Sequence, residues 1–451
     1  MFILLKINAK SKSYFLPEIY KKNIVTTSIK KVVATYHAEY FGAKGNGKTD
    51  DTKALTKAFN SPYNIILTKG KIYLIQGKIT IQVSNKTISG YGAEIKKINN
   101  ELQTLIFKNC NLFKLAGVKF TLQTKADRNS IDGQAVCLQI ITCKNYIIKD
   151  LHIIGSKEMG ICNMNCINGL MYKNHIEHTW RDGIYAHYSA KMTYDSNTIE
   201  DVKDDGLSMH DYGIPAQKPE LITLGYKQAG HSKITNNIIS NCISGISSIG
   251  CDGLNISGNV IKNTVLAGIN LFNSDQLYKG TDAYVKNSTV KNNKLSGTDR
   301  TQTIVGQVLP NNGQLTSGRA AITVYSGTGS SNLYPDAITR LSNIVIQNNT
   351  IYNSGTNGIF CGNIDKVNVL GNKIRNCQID GSTYTGYMIE INKCTEFYTN
   401  SNTIVDEKVK GIIHHQGGYY ISDSNGSLGA WYISGVLDNT LGIVKGGTVI
   451  K

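Results

Sequence analysis

The chain has 451 residues with 48 Lys plus Arg against 32 Asp plus Glu, a formal charge of +16, which excludes a peptide, a coiled coil and an acidic disordered tail. A hydrophobic fraction of 41% with only 18% charged residues is enough for a large core. Gly is frequent at 44, Pro rare at 6 and Tyr abundant at 25, a balance suited to short strands joined by tight turns.

Residues 1–36 are basic and lie outside the repeat that follows, so they form an N-terminal segment of their own. The run Met1-Phe2-Ile3-Leu4-Leu5 is broken by Lys6 too early for a signal-peptide core, and export through such a signal is not expected. No stretch approaches the roughly 18–20 apolar residues that span a bilayer, so no membrane insertion is expected. Gly42-Ala43-Lys44-Gly45-Asn46-Gly47-Lys48-Thr49 then satisfies the phosphate-loop pattern G-x-x-x-x-G-K-[ST], between a strand-like Ala38–Phe41 and a helix-like Asp51–Phe59. Against a nucleotide site, Asp50 and Asp51 would face the phosphates, and the rest of the chain offers no βαβ units. Asp51 is expected to N-cap the helix. The stretch from Tyr40 to Thr52 resembles the N-terminal signature of the pectate-lyase-like superfamily. That resemblance implies a β-helix whose open end is covered by a short helix.

From residue 174 onward a phrase of Asn, one variable residue and then Ile or Leu recurs, at Asn174, Asn197, Asn237, Asn259, Asn293, Asn349, Asn372 and Asn402. The successive spacings are 23, 40, 22, 34, 56, 23 and 30, a unit of 22–23 residues with insertions. Gly followed by an apolar residue trails the Asn at Gly183, Gly206, Gly245, Gly268 and Gly358, and Gly160 extends the series upstream. Short β units of this length without helical periodicity describe an all-β, right-handed parallel β-helix. It should run over residues 37–405, with the N-terminal cap included and residues 406–451 forming a C-terminal β cap. A leucine-rich solenoid lacks its Leu pattern here.

The same register places Cys143, Cys166, Cys251 and Cys394 in one column, shared with Ser189, Ala229, Leu341 and Ile364. Small and apolar partners indicate buried free thiols rather than a metal site or disulfides. Ten cysteines without an export signal suit folding in a reducing compartment. Insertions are expected at Asp211–Gln228, at Asp275–Asp282 and from about Thr298 to Pro335, and such loops commonly build a binding face.

Acids are scarce, yet three gather in two consecutive units, in Trp180-Arg181-Asp182-Gly183 and Lys203-Asp204-Asp205-Gly206. One repeat length separates Asp182 from Asp205, His187 from His210 and Arg181 from Asp204, so each pair stacks. Stacked carboxylates repel, which raises one pKa and leaves the other acid ionised, the division that acid/base cleavage of a glycosidic bond requires. A column of Asp capping turn amides is the bland alternative. Trp180, Tyr185, Tyr188, Tyr212 and Tyr226 offer rings on which a sugar can stack, and Tyr is equally a good strand residue.

This block resembles polygalacturonase-type glycoside hydrolases, with one Asp on one coil and an Asp-Asp pair on the next. The resemblance implies inverting hydrolysis with Asp182, Asp204 and Asp205 as the catalytic acids. The family's Gly-His-Gly aligns with Ser244-Gly245-Ile246, and its Arg-x-Lys clamp has no counterpart near Asn270. The segment from Asp204 to His210 also looks like the β-helix tail spikes of bacteriophages. That likeness implies a homotrimeric depolymerase in the virion tail, assembled in host cytoplasm and docked on tail or baseplate proteins through its N-terminus. Scattered lysine in place of Arg-rich stripes argues against nucleic acid and suits an anionic polysaccharide or a teichoic-acid-type polymer. No cofactor is expected. The other readings are a non-catalytic receptor-binding spike, a secreted pectinase, and a polysaccharide lyase, which would use calcium.

Overall fold

The computed structural model describes residues 33–98, 103–122, 135–274, 281–300, 320–325, 341–377, 388–392, 394 and 396–405, together with the backbone of five further strands up to Ile450. Most of the expected docking segment, most of the insertion from Thr298 to Pro335 and most of the Asp275–Asp282 insertion lie outside those residues.

The chain winds as a parallel β-helix with two long sheets, one of 27 strands and one of 13. In the smaller sheet a single column runs from coil to coil through Ile161, Ile184, Leu207, Ile246, Ile269, Ile322, Ile359 and Ile389. All are fully buried, each worth about 1.5–3 kcal/mol of transfer free energy. Because strand side chains alternate, the residue after each one faces outward. That alternation turns Tyr185 and His187, then Ser208 and His210, to the outer face of the strands Ile184–His187 and Leu207–His210, where Ser208 is buried and the other three are partly exposed.

The recurring Asn forms an internal ladder. Asn174 Nδ2 donates to Asn197 Oδ1 at 2.9 Å, Asn197 to Asn237 at 2.9 Å, Asn237 to Asn259 at 2.9 Å, and the chain of bonds continues to Asn402. Each Asn Oδ1 from Asn197 on also takes the backbone N–H of the preceding rung. The residue before every rung has positive φ: Lys173, Ser196, Asn236, Gly258, Asn292, Asn348, Gly371 and Ser401. The left-handed turn swings the Asn side chain inward, and Asn and Gly are frequent there because they tolerate that conformation.

All ten cysteines are buried and free. The column that holds Cys143 and Cys166 begins one coil earlier at Cys110, whose N–H points to Cys143 Sγ at 3.3 Å, and it includes Val285. At the N-terminal end the helix Thr52–Phe59 buries Leu55, Ala58 and Phe59. Asp51 stands at its N-cap position without capping it. Its carboxylate accepts instead from Lys44 N at 2.6 Å and Gly45 N at 2.9 Å, so the amides of the phosphate-loop-like turn are filled by the chain's own anion. Asp50 holds the helix start, accepting from Thr52 N.

Beyond residue 405 the pairing changes. Gly418–Ile421 pairs antiparallel with Ala430–Tyr432, Asn402–Val405 with Val436–Asn439, and Ile443–Lys445 with Thr448–Ile450. Among the described residues no helix is long and apolar enough to cross a membrane.

Candidate active site

The acids hang from turns that lead into the smaller sheet. Gly160 N donates to Asp182 O, Gly183 N to Asp205 O and Gly206 N to Ser244 O at 2.8–3.1 Å, which fixes Met159, Asp182, Asp205 and Ser244 as one column. Gly is obligatory beside them. A Cβ on Gly183 would lie 2.4 Å from Ile199 Cγ2, and one on Gly206 2.3 Å from Ile239 Cγ2.

Asp182 is 2% exposed, and its Oδ1 accepts a 2.5 Å bond from Ser208 Oγ on the next coil. Burial, then the Asp204 carboxylate, pushes it up to about 7 against the pull of Ser208 and Arg181. Asp205 is only partly covered. Burial, Asp204 and Asp182 hold it well above the carboxylate range even though Ser244 and Ser247 bond to it. Both stacked acids are thus held toward their protonated forms, where the sequence pattern predicts one raised and one ionised, because burial acts on both.

Arg181 lies between two carboxylates, with Nε 3.8 Å from Asp204 and Nη1 3.7 Å from Glu158. Burial alone would lower its pKa, but Asp182, Asp204 and Glu158 keep it raised. Glu158 is 4% exposed and was not evident from the sequence pattern. It shares the column of Arg181 and Asp204, but Met159 beside it breaks the acid motif.

His187 and His210 pair in register. Burial pulls His187 down to about 4, and burial followed by His187 and Arg181 pulls His210 down to about 3, so both rings are neutral. Tyr212 Oη lies 3.1 Å from His210 Nδ1. The Nε2 atoms of both histidines are buried without a hydrogen-bond partner among the described residues. Unsatisfied buried polar atoms are uncommon in folded proteins and point to a ligand or water.

The aromatic residues divide. Tyr185 packs on Val136, Met159 and Cys162 with its ring 5.0 Å from His210, and Tyr212 lies 5.3 Å from His187. Trp180 has Lys203 Nζ over its ring at 3.7 Å, so one face is already covered. Tyr188 is a correction. It is 2% exposed and packs on Ala190 and Leu221 beneath the Asp211–Gln228 insertion, so no ligand reaches it. Tyr226 packs against the same cluster. The insertion is pinned by a buried pair, Lys218 Nζ to Asp211 Oδ1 and Oδ2 at 2.8 and 2.9 Å, with Ala229 N also donating to Asp211.

A family model described as the right-handed β-helix region matches residues 116–290, which include every acid of the site. That match covers less than half of the chain, and the fold around it is the parallel β-helix described above. The chain is 26% identical over 202 residues to a probable polygalacturonase of Arabidopsis thaliana, a match covering 38% of this chain and 45% of the relative. The chain thus spans less than half the length of that curated relative. Among solved structures it is similar to a family 28 exopolygalacturonase of Yersinia enterocolitica, with a TM-score of 0.61, 14% identity, and 86% of this chain and 77% of the other covered. It is also similar to the pre-mature gene product 12 of bacteriophage phi29, with a TM-score of 0.52, 16% identity, and 87% and 58% covered.

Proposed function

We propose that the protein is a polysaccharide depolymerase of a bacteriophage tail that hydrolyses glycosidic bonds of an anionic cell-surface or cell-wall glycan. The observation that carries this reading is the stack of Asp182 on Asp205 beside the Arg181–Asp204 pair, where burial and neighbouring carboxylates hold both stacked acids above the ordinary carboxylate range. Asp205, protonated and partly accessible, gives its proton to the leaving glycosidic oxygen as the C–O bond breaks. Water activated by Asp182 and Asp204 attacks the anomeric carbon from the opposite face and yields its proton to a carboxylate, inverting the centre. Arg181 keeps Asp204 in place, while the neutral His187 and His210 present ring nitrogens to sugar hydroxyls and Tyr185, Tyr212 and the open face of Trp180 offer stacking surfaces.

Similarity to a probable polygalacturonase supports the hydrolase class, and the fold shared with a phage protein supports the setting. The charge of +16 favours an acidic polymer. On this reading residues 1–36 dock on tail or baseplate proteins, residues 406–451 cap the stack, and three chains associate. A binding-only spike is the second reading, favoured by Ser244-Gly245-Ile246 standing where the resemblance expects Gly-His-Gly. Reducing-end release from a panel of capsules and teichoic acids separates the two. Wild type should cleave one polymer and Asp182→Asn/Asp205→Asn none, with a thermal midpoint no lower than that of wild type. Full activity in the double variant sinks the catalytic assignment.

A further inference from the structure

On the larger sheet, His152 and His175 occupy equivalent positions of the strands His152–Ser156 and His175–Thr179. Their rings are parallel to within 2° at 4.6 Å between centroids. Glu177 reaches back along the stack, with Oε1 2.8 Å from His152 Nε2. One donor atom from each of His152, His175 and Glu177 lies within 4.8 Å of the other two. Two more donors surround the trio, since Glu200 Oε1 lies 2.7 Å from His175 Nε2 and Glu177 Oε2 lies 3.4 Å from His178 Nε2.

All three central residues are partly exposed, and His152 borders a shallow hollow lined by Glu94, Lys119 and Asp150 that opens the cluster to solvent. Lys119, the nearest cation in the column, is turned toward Glu94 at 3.7 Å. Below the cluster Ile153 and Ile176 are fully buried, so the strands that carry the donors are fixed by the core.

We infer that His152, His175 and Glu177 form a binding site for a single transition-metal dication of the zinc type. Two imidazoles with a carboxylate suit zinc, nickel or copper, whereas calcium and magnesium require oxygen donors. Binding replaces the His–Glu hydrogen bonds with metal–ligand bonds and requires the two parallel rings to tilt toward a common point. Glu200 supplies a fourth ligand or orients His175. The location gives the site a structural consequence. The strand His152–Ser156 leads into Lys157-Glu158, and His175–Thr179 leads into Trp180-Arg181-Asp182. A metal here ties together the two coils from which those turns hang, whatever chemistry the turns perform.

The test is calorimetric titration of the chelator-stripped full-length protein with zinc chloride and with nickel chloride. One equivalent should bind, and His152→Gln, His175→Gln and Glu177→Gln should each weaken it by about tenfold or more, while Asp182→Asn/Asp205→Asn binds as wild type does. Absence of binding at millimolar metal, or affinity unmoved in His175→Gln and Glu177→Gln, overturns the site. If a His variant fails to fold, pulsed electron paramagnetic resonance of copper bound to the wild-type protein decides. Coupling to two imidazole nitrogens is expected, and a spectrum of oxygen or thiolate ligands alone refutes it.

Discussion

Two columns of this β-helix differ in kind. The Asn column repeats one residue from Asn174 to Asn402, and every rung before the last spends its amide on the next rung and on backbone groups. The column of Asp182 and Asp205 changes residue at each coil, holding Met159 before them and Ser244 after. Beside it two imidazole nitrogens are buried with no hydrogen-bond partner among the described residues. A structural column is uniform and satisfied, because each rung solves the same local problem. A functional column is local and varied, because it departs from the repeat where chemistry requires it.

The sharpest way to separate the columns is Asp205→Asn. Loss of the proton donor should lower depolymerisation by about a hundred- to ten-thousand-fold, measured as reducing ends, without lowering the thermal midpoint. In the Asn column the opposite should hold. Asn237→Ala removes bonds to Asn197, Asn259 and the Tyr194 carbonyl and leaves buried groups unpaired, so it should cost roughly 2–4 kcal/mol in denaturant unfolding with unchanged turnover in the folded fraction. Gly206→Ala links the two columns, since its Cβ would press on Ile239 and on the Gly245 carbonyl. Overpacking of that kind should destabilise by about 1–3 kcal/mol and shift Asp205, lowering stability and rate together.

The pH dependence of stability has a definite sign. Asp182 titrates near 7 in the folded protein, above its ordinary value of 3.8. Its stabilising contribution is therefore present below that value and lost as pH rises through 7. His187 and His210 shift the other way, to about 4 and about 3. Their contribution is present above the ordinary 6.5 and lost as pH falls. Asp182→Asn should accordingly gain stability relative to wild type as pH rises from about 4 to above 7, and denaturant titrations at several pH values measure that gain. Smallest of all, Tyr212→Phe removes one hydrogen bond to His210 and should change stability by about 0.5–1.5 kcal/mol.

Much of this was legible in the sequence because the repeat is strict where it matters. No insertion interrupts residues 160–206, so a spacing of 23 stacked Asp182 on Asp205 and His187 on His210 before any coordinates were needed. What stayed hidden depends on contacts that spacing does not encode. Tyr188 is covered by an insertion that folds back through the Asp211–Lys218 pair, a long-range event. Asp51 turned toward Lys44 and Gly45 because those loop amides needed an acceptor more than the helix did. Glu158 went unseen because Met159 interrupts its motif, and the His152–Glu177 bond spans 25 residues, a diagonal contact rather than a column.

The most direct measurement is mass spectrometry of the products released from a cleaved polymer in water labelled with heavy oxygen, comparing wild type with Asp182→Asn/Asp205→Asn. The account predicts one labelled oxygen at each new reducing end from wild type and no products from the variant. Unlabelled unsaturated ends, or identical products from both proteins, would contradict it.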